Sequence, residues 1–600
     1  MSERIKERNE IEEKYKWDLS TLFENDEAWE ETYNKIDDGI KALARFQGQL
    51  DNADSIYECH KECEEVAKKI ENLNGYASLR HSEDTRDEKG NNMSLMAYSK
   101  AVEYMSITSY ITPEILSQSD KVLKSFIENE KLKDYKFYLE NLLRQKAHTL
   151  STNEEYIIAA MGEALATPWQ ASDALMDADM KFEDAVDSEG KKYSLSNNNF
   201  VFLENSKDRV LRESAFRNFY ETYKNHNYTL ASTLNGTIKS STAEAKIRKY
   251  TSSRNMKMDS DNIPEFVYDN LIETIHKHIN LMHRYAALRK RLLEVDELHY
   301  YDVYTPLVQD LNKSFTYEEA EEIILKALEP MGEEYLNTVK SAFESRWIDV
   351  YPNVGKSSGA YSAGTYESNP YILCNFTGTL DTVSTLAHEM GHSMHSYYTR
   401  KTQPYHYSDY TMFVAEVAST VNENLLIEYL LKNESDPKIR LSLLNQYMEG
   451  FKGTVYRQTM FCEFEKEAHA MSERGEPITA EALNSKYYDL VKYYFGDALV
   501  MDDEIQYEWS RIPHFYNPFY VYVYATGYSS AVALSQKILN EGEEAVKKYI
   551  EFLSMGSSRY PLDELMHAGV DWNTPAPIEN AIKKFEAVLD EAEAILEHLN

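Results

Sequence analysis

Glycine (21) and proline (15) are scarce in this chain of 600 residues, about 6% together where roughly 12% is usual. So few breakers predict long helices joined by few loops, and a hydrophobic content of 42% is enough to bury a large core. Cysteine is rarer still. Cys59, Cys63, Cys374 and Cys462 are too few and too scattered for a disulfide framework. Cys59-His60-x-x-Cys63 would make half a metal site, but no second Cys/His pair follows at a useful spacing, so two thiols a helical turn apart are expected. Basic residues are in deficit, 64 against 100 acidic ones for a net charge of −36. That balance repels polyanions and excludes DNA or RNA as partners, and the surplus reads as a solvated surface. No run of about 18 apolar residues exists, so no membrane span is expected. The opening MSERIKERNEIEEKYKW lacks the apolar stretch of a secretory signal. The expected compartment is the cytoplasm, with no obligatory protein partner evident.

What is present is mostly helical patterning. Apolar residues recur at three- and four-residue spacing from Glu12 to about Leu165, and again over 209–249, 263–294 and 317–346. Two stretches differ. In FEDAVDSEGKKYSLS (182–196), Ser188-Glu189-Gly190 separates short alternating segments and predicts a β-hairpin. In 353–380, which holds four glycines, two extended segments joined by Tyr366–Pro370 predict a second small sheet. Three regions are expected: 1–110, helical; 111–205, helical with the hairpin; and 206–600, which carries the candidate site. The fold class is mainly α.

That site begins with S-T-L-A-H-E-M-G-H-S-M-H-S-Y-Y (384–398), where three of the chain's 16 histidines fall within eight positions around one glutamate. On a helix, His388 and His392 lie one turn apart on one face and can point at a single ion. Glu389, rotated by about 100°, is poorly placed as a ligand but well placed to reach a water there. This is the mechanical content of H-E-x-x-H. Gly391 would allow another backbone to come close. Downstream, Glu416 and Glu423 share a face of F-V-A-E-V-A-S-T-V-N-E (413–423), which is apolar nearly all round. Buried carboxylates want partners, so one could bind the ion while the other orients a ligand histidine. Seven aromatics and His514 crowd 511–528, a possible source of donors for a tetrahedral oxyanion. In a helix Tyr520, Tyr524 and Tyr528 would form one stripe, with Tyr522 pointing elsewhere.

HEMGH (388–392), FVAEVAS (413–419), GAYSAG (359–364) and HFYNPFYVYVYATGY (514–528) together resemble oligoendopeptidase F, of the thimet-oligopeptidase group of zinc metallopeptidases. KYKWDLSTLF (14–23) and MGSSRYPLDELMHAGVDW (555–572) extend the resemblance over nearly the whole chain. It implies a large helical ellipsoid with a deep internal channel, a zincin-type helix pair and small β elements lining the cleft, cutting short unstructured peptides. By the same resemblance His388, His392 and Glu416 hold one Zn2+ per chain, and Glu389 is the general base. His514 and one tyrosine stabilise the transition state; Tyr524 is preferred, with Tyr520 and Tyr522 open. Glu423 becomes the residue orienting a ligand histidine. GAYSAG and YILCNF match cleft-lining strands, which makes Gly359, Ala360, Tyr361 and Tyr371 substrate-binding candidates together with Tyr528. Two rivals stand: a zinc exopeptidase of the dipeptidyl carboxypeptidase type, and a helical peptide-binding scaffold without catalysis.

Overall fold

The computed structural model describes residues 4–307 and 314–599. The chain is mainly α, with only short strands, and divides into two compact units, each built from three separate stretches. One comprises Met1–Ser151, Lys313–Leu430 and Ala531–Val570; the other comprises Thr152–Asn312, Leu431–Ser530 and Asp571–Asn600. These units cut across the contiguous division at 110 and 205 expected from sequence. Among the described residues no helix is long and apolar enough to cross a membrane, and all four cysteines are free and buried.

In the first unit, helices from the N-terminal stretch bury Trp17, Trp29, Leu73 and Tyr135 in one core, and Tyr371 and Leu373 belong to that same core. The latter two come from a three-stranded sheet. Its middle strand, Tyr371–Leu373, runs parallel to Ile348–Asp349 and antiparallel to the outer strand Tyr361–Ala363. The expected pair of extended segments is therefore present, joined by a third strand. The helical stretch 317–346 is made of two helices, Tyr317–Ala327 and Glu333–Glu344, because Pro330 and Gly332, at φ +82°, break the ladder between them.

The H-E-x-x-H helix spans Leu380–Thr402. Thr379 caps it by accepting from the Thr382 amide, Asp381 sits in its first turn and Arg400 and Lys401 in its last, all matched to the helix dipole. Val383, Leu386, Met390 and Met394 are fully buried, each contributing roughly 1.5–3 kcal/mol through burial. The next helix, Ala415–Asn433, is sealed by Val417, Ala418, Val421 and Leu425, the apolar run noted in the sequence. The two helices touch backbone to backbone. A Cβ added at Gly391 would lie 2.5 Å from both the Ala418 carbonyl oxygen and the Ser419 Cα. Asn422 locks the contact, donating to the Ala387 carbonyl (3.1 Å) and accepting from the Tyr335 hydroxyl (3.1 Å).

In the second unit the predicted hairpin forms between Ala185–Val186 and Lys192–Tyr193, turned by Gly190 at φ +82°. The 39-residue helix Arg209–Ile247 carries buried Phe216, Phe219, Tyr220 and Tyr223. The segment holding His514 is irregular. A 3-10 helix over Asp503–Arg511 is followed by a second over Pro513–Tyr516, and an α-helix begins only at Tyr522. Wholly buried Glu508 fixes the first of these by accepting from the Tyr487 hydroxyl (2.6 Å), the Tyr300 hydroxyl (3.0 Å) and the Arg457 guanidinium (2.8 Å). A buried carboxylate is tolerable when its lone pairs are satisfied in this way.

Overpacking of a tight core contact typically costs about 1–3 kcal/mol. Gly391→Ala is expected to lower stability by that amount in denaturant titration, and to weaken metal binding by separating the two helices. Wild-type stability with unchanged metal affinity would mean the contact is not tight.

Candidate metal centre

On the H-E-x-x-H helix, His388 and His392 present neighbouring rings, 4.9 Å between centroids. The crossing at Gly391 brings Glu416 to them: its Oε2 lies 3.5 Å from His388 Nε2 and 3.5 Å from His392 Nε2. One donor atom from each of these three residues falls within 4.8 Å of the others, and among the described residues no other group of this kind is found. Zinc–ligand bonds near 2.0–2.1 Å in a tetrahedron set donors about 3.4 Å apart, which the two distances from Glu416 to the imidazoles match. Glu423 occupies the far side of His388, with its Oε1 3.4 Å from Nδ1. A carboxylate in that position can hold a proton on Nδ1 and leave Nε2 facing Glu416 and His392.

The electrostatics of these residues bear the marks of one site. Burial disfavours the His388 imidazolium, but the Glu423 carboxylate and then Glu389 and Glu416 outweigh it, raising its pKa to about 9. Burial would also raise Glu416, yet His392, His388 and the Ser419 hydroxyl bring it down to about 2. Ser419 Oγ donates to Glu416 Oε2 at 3.0 Å. Glu389 differs. It is 7% exposed and lies outside the ligand group; its pKa is raised, first by burial and then by Glu416 and Glu423 against the pull of His388 and His392. A buried carboxylate with a raised pKa is what a general base requires. The third histidine of the motif is no ligand. His395 is fully buried, stacked on Tyr410 at 3.7 Å, and pushed down to about 3 by burial.

The outer strand Tyr361–Ala363 is tied to the same helix through a 2.8 Å contact between the Ser362 and Ser393 hydroxyls. Of the residues expected to contact substrate, Gly359 (φ +80°) faces open space, and Ala360 and Tyr361 are partly exposed. Tyr371 is a correction. Its side chain is wholly buried, donating to the Asp18 carbonyl at 2.8 Å with Thr21 alongside, so the ring is a core element.

In the second unit the expected stripe of Tyr520, Tyr524 and Tyr528 is broken, because Pro513, Pro518 and Phe519 (φ +59°) delay the helix to Tyr522. Tyr520 nevertheless folds back beside Tyr524, with rings 5.4 Å apart, and His514 lies 5.9 Å from Tyr524 and 6.5 Å from Tyr520. Burial, followed by the Arg457 cation, lowers the His514 pKa and favours its neutral form. The other two rings are corrections. Tyr522 is 4% exposed and packs on Tyr268, and Tyr528 is 8% exposed and packs on Phe451 and Tyr447. Both are spent on the interior. Two residues of the site, Ser419 and Asn422, carry no signal of their own in the sequence beyond helical spacing: Ser419 stands three residues after Glu416, and Asn422 three after Ser419.

Removing a partner that orients a ligand histidine typically costs 10–100-fold in metal affinity. Glu423→Gln is therefore expected to weaken zinc binding by roughly 10–100-fold in competition with a chromogenic chelator, and His395→Gln to leave it within about threefold. Unchanged affinity in Glu423→Gln would remove its orienting role.

Residues 202–584 match the profile of Peptidase family M3, and residues 114–182 match that of Oligopeptidase F. The chain is 47% identical to oligopeptidase PepF of Bacillus subtilis over 99% of its own length and 89% of that protein. It is 40% identical to an oligoendopeptidase F homolog of Lactococcus lactis, covering 99% of each. Among solved structures it superposes on oligoendopeptidase-F from Enterococcus faecium with a TM-score of 0.75 at 37% identity, over 96% of this chain and 99% of that one. A chain from Chlamydophila abortus superposes with a TM-score of 0.92 at 36% identity, over 99% and 100%. These matches run through the helices that bring His388, His392 and Glu416 together: the chain is a peptidase and belongs to peptidase family M3, in its oligopeptidase F group.

Proposed function

We propose that the protein is a zinc-dependent oligoendopeptidase that hydrolyses internal bonds of short, unstructured peptides. The observation carrying this reading is the convergence of two imidazole nitrogens and a carboxylate oxygen within 4.8 Å, with a buried, unligated carboxyl, Glu389, on the same helix. His388, His392 and Glu416 would hold the ion. When bound, zinc supplies Lewis acidity, polarising a carbonyl and acidifying water. Glu389 takes the proton of the attacking water and returns it to the leaving amine, and its raised pKa suits both transfers. Glu423 keeps His388 in the ligating tautomer. His514 and Tyr524, with Tyr520 beside them, donate hydrogen bonds to the oxyanion; the neutral state favoured for His514 suits a donor that should not compete for the catalytic proton. The outer strand Tyr361–Ala363 offers an unpaired edge to an extended peptide, with Gly359 and Ala360 leading into it. Four free, buried cysteines suit a reducing compartment, and we place the protein in the cytoplasm.

Peptides of increasing length, acetylated and amidated at their ends, give the direct test when digested with and without chelator and read by mass spectrometry. Internal cleavage that stops on chelation and returns with zinc is expected. Trimming by two residues, and only from free C-termini, would mark a dipeptidyl carboxypeptidase instead; no cleavage at all would leave a peptide-binding scaffold. Glu389→Gln is expected to retain one zinc per chain and lose roughly 10²–10⁴ in kcat. Full activity would take the base role away from Glu389.

A further inference from the structure

The turn Asn517-Pro518-Phe519-Tyr520 decides where Tyr520 and Tyr524 stand relative to His514, and its backbone is under strain. Phe519 is at φ +59°, a left-handed conformation that a bulky side chain adopts only when its surroundings impose it. Two features impose it. The Phe519 ring is 4% exposed, wedged against His469 at 4.6 Å and Tyr268 at 5.9 Å. Its buried amide donates to Glu465 Oε1 at 2.7 Å. Glu465 comes from the helix Arg457–Glu473, is only 2% exposed, and is far in sequence from the turn it meets. Burial pushes its carboxyl up to about 8. An acidic group in such a place is expensive to retain, and beside the Tyr268 hydroxyl the partner it meets is this backbone amide. On either side of that contact the chain is turned by local bonds: the Asn517 amide donates to the His514 carbonyl at 2.9 Å, the Val523 amide to the Tyr520 carbonyl at 3.2 Å and the Tyr524 amide to the Val521 carbonyl at 3.3 Å.

We infer that Glu465 is a positioning residue for peptide hydrolysis, clamping Phe519 in its left-handed turn so that Tyr520 and Tyr524 stand beside His514. The inference rests on the oxyanion role proposed above for those three residues. Without the acceptor, Phe519 relaxes toward negative φ, the direction of Tyr520 changes, and the donor cluster opens. A displacement of about 1 Å at such a cluster can cost on the order of 10²-fold in rate while leaving ground-state binding nearly intact.

Three variants separate this from a general structural role. Glu465→Gln keeps the acceptor in the same shape, Glu465→Asp draws it back by one methylene, and Glu465→Leu removes it. Expected are near-wild-type kcat for Gln, and kcat lowered about 10–100-fold for Asp and Leu, with KM within about threefold and zinc at one per chain. If Leu does not fold, the Gln and Asp pair decides. Equal kcat in Gln and Asp, or losses carried by KM or zinc content, would overturn the clamp. Tyr520→Phe and Tyr524→Phe, assayed alongside, distinguish the two ways of failing. If they lose turnover while Glu465→Asp and Glu465→Leu do not, the clamp is wrong and the tyrosine role stands. If both are silent, the tyrosine role falls, and the clamp with it.

Discussion

The structure of the metal centre depends on one steric fact: two helices touch where a side chain is missing. With hydrogen at Gly391 the backbone of the Ala415–Asn433 helix comes against the H-E-x-x-H helix, and a Cβ there would sit 2.5 Å from the Ala418 carbonyl. A carboxylate one turn before that crossing is thereby brought within 3.5 Å of two imidazoles one turn apart. A wider separation would move the glutamate donor beyond the reach of an ion with bonds near 2.0–2.1 Å. Apolar burial along both helices drives the contact, and Asn422 fixes its register by bonding the Ala387 carbonyl.

Around that crossing, burial and charge divide labour among chemically similar groups. Three glutamates lie close to two histidines. Glu416, facing both rings and Ser419, is held ionised. Glu423 faces one ring from behind. For Glu389 burial outweighs the pull of both rings, and its pKa is raised. A ligand must be deprotonated and a base must be able to carry a proton, so their surroundings alone suit identical side chains to the different roles proposed for them. The second unit applies the same principle, with Glu508 satisfied by three donors beneath the His514 segment and Glu465 turned to the Phe519 amide.

How far this was legible in the sequence follows the range of the interactions. His388, His392 and Glu389 could be read because their relation is fixed within one helical turn; two carboxylates in an otherwise apolar run, Glu416 and Glu423, demanded a reason, but only the family resemblance chose Glu416 between them. The hairpin at Ser188-Glu189-Gly190 was equally local. Asn422 and Ser419 could not be valued until the crossing point was known, since their partners belong to another helix or to a glutamate whose own role depends on it. Periodicity alone cannot say where a helix begins: Pro513, Pro518 and the turn at Phe519 move that start to Tyr522, so Tyr520 reaches Tyr524 from outside the helix, while Tyr522 points elsewhere as the spacing expects and Tyr528 packs into the interior. Tyr371 is a cleft candidate only through the match of YILCNF to cleft-lining strands, and every residue of its strand is buried. The two units are each assembled from three separate stretches, an arrangement that no linker or change of composition announces.

X-ray absorption at the zinc edge, on protein loaded with one equivalent of zinc, tests the central claim most directly. A shell of nitrogen and oxygen alone, with the outer scattering of two imidazoles, is what a site shared by His388, His392 and Glu416 must give. Sulfur among the nearest scatterers, or a shell without imidazole, would mean that the metal is held elsewhere and that the helix crossing at Gly391 serves packing only.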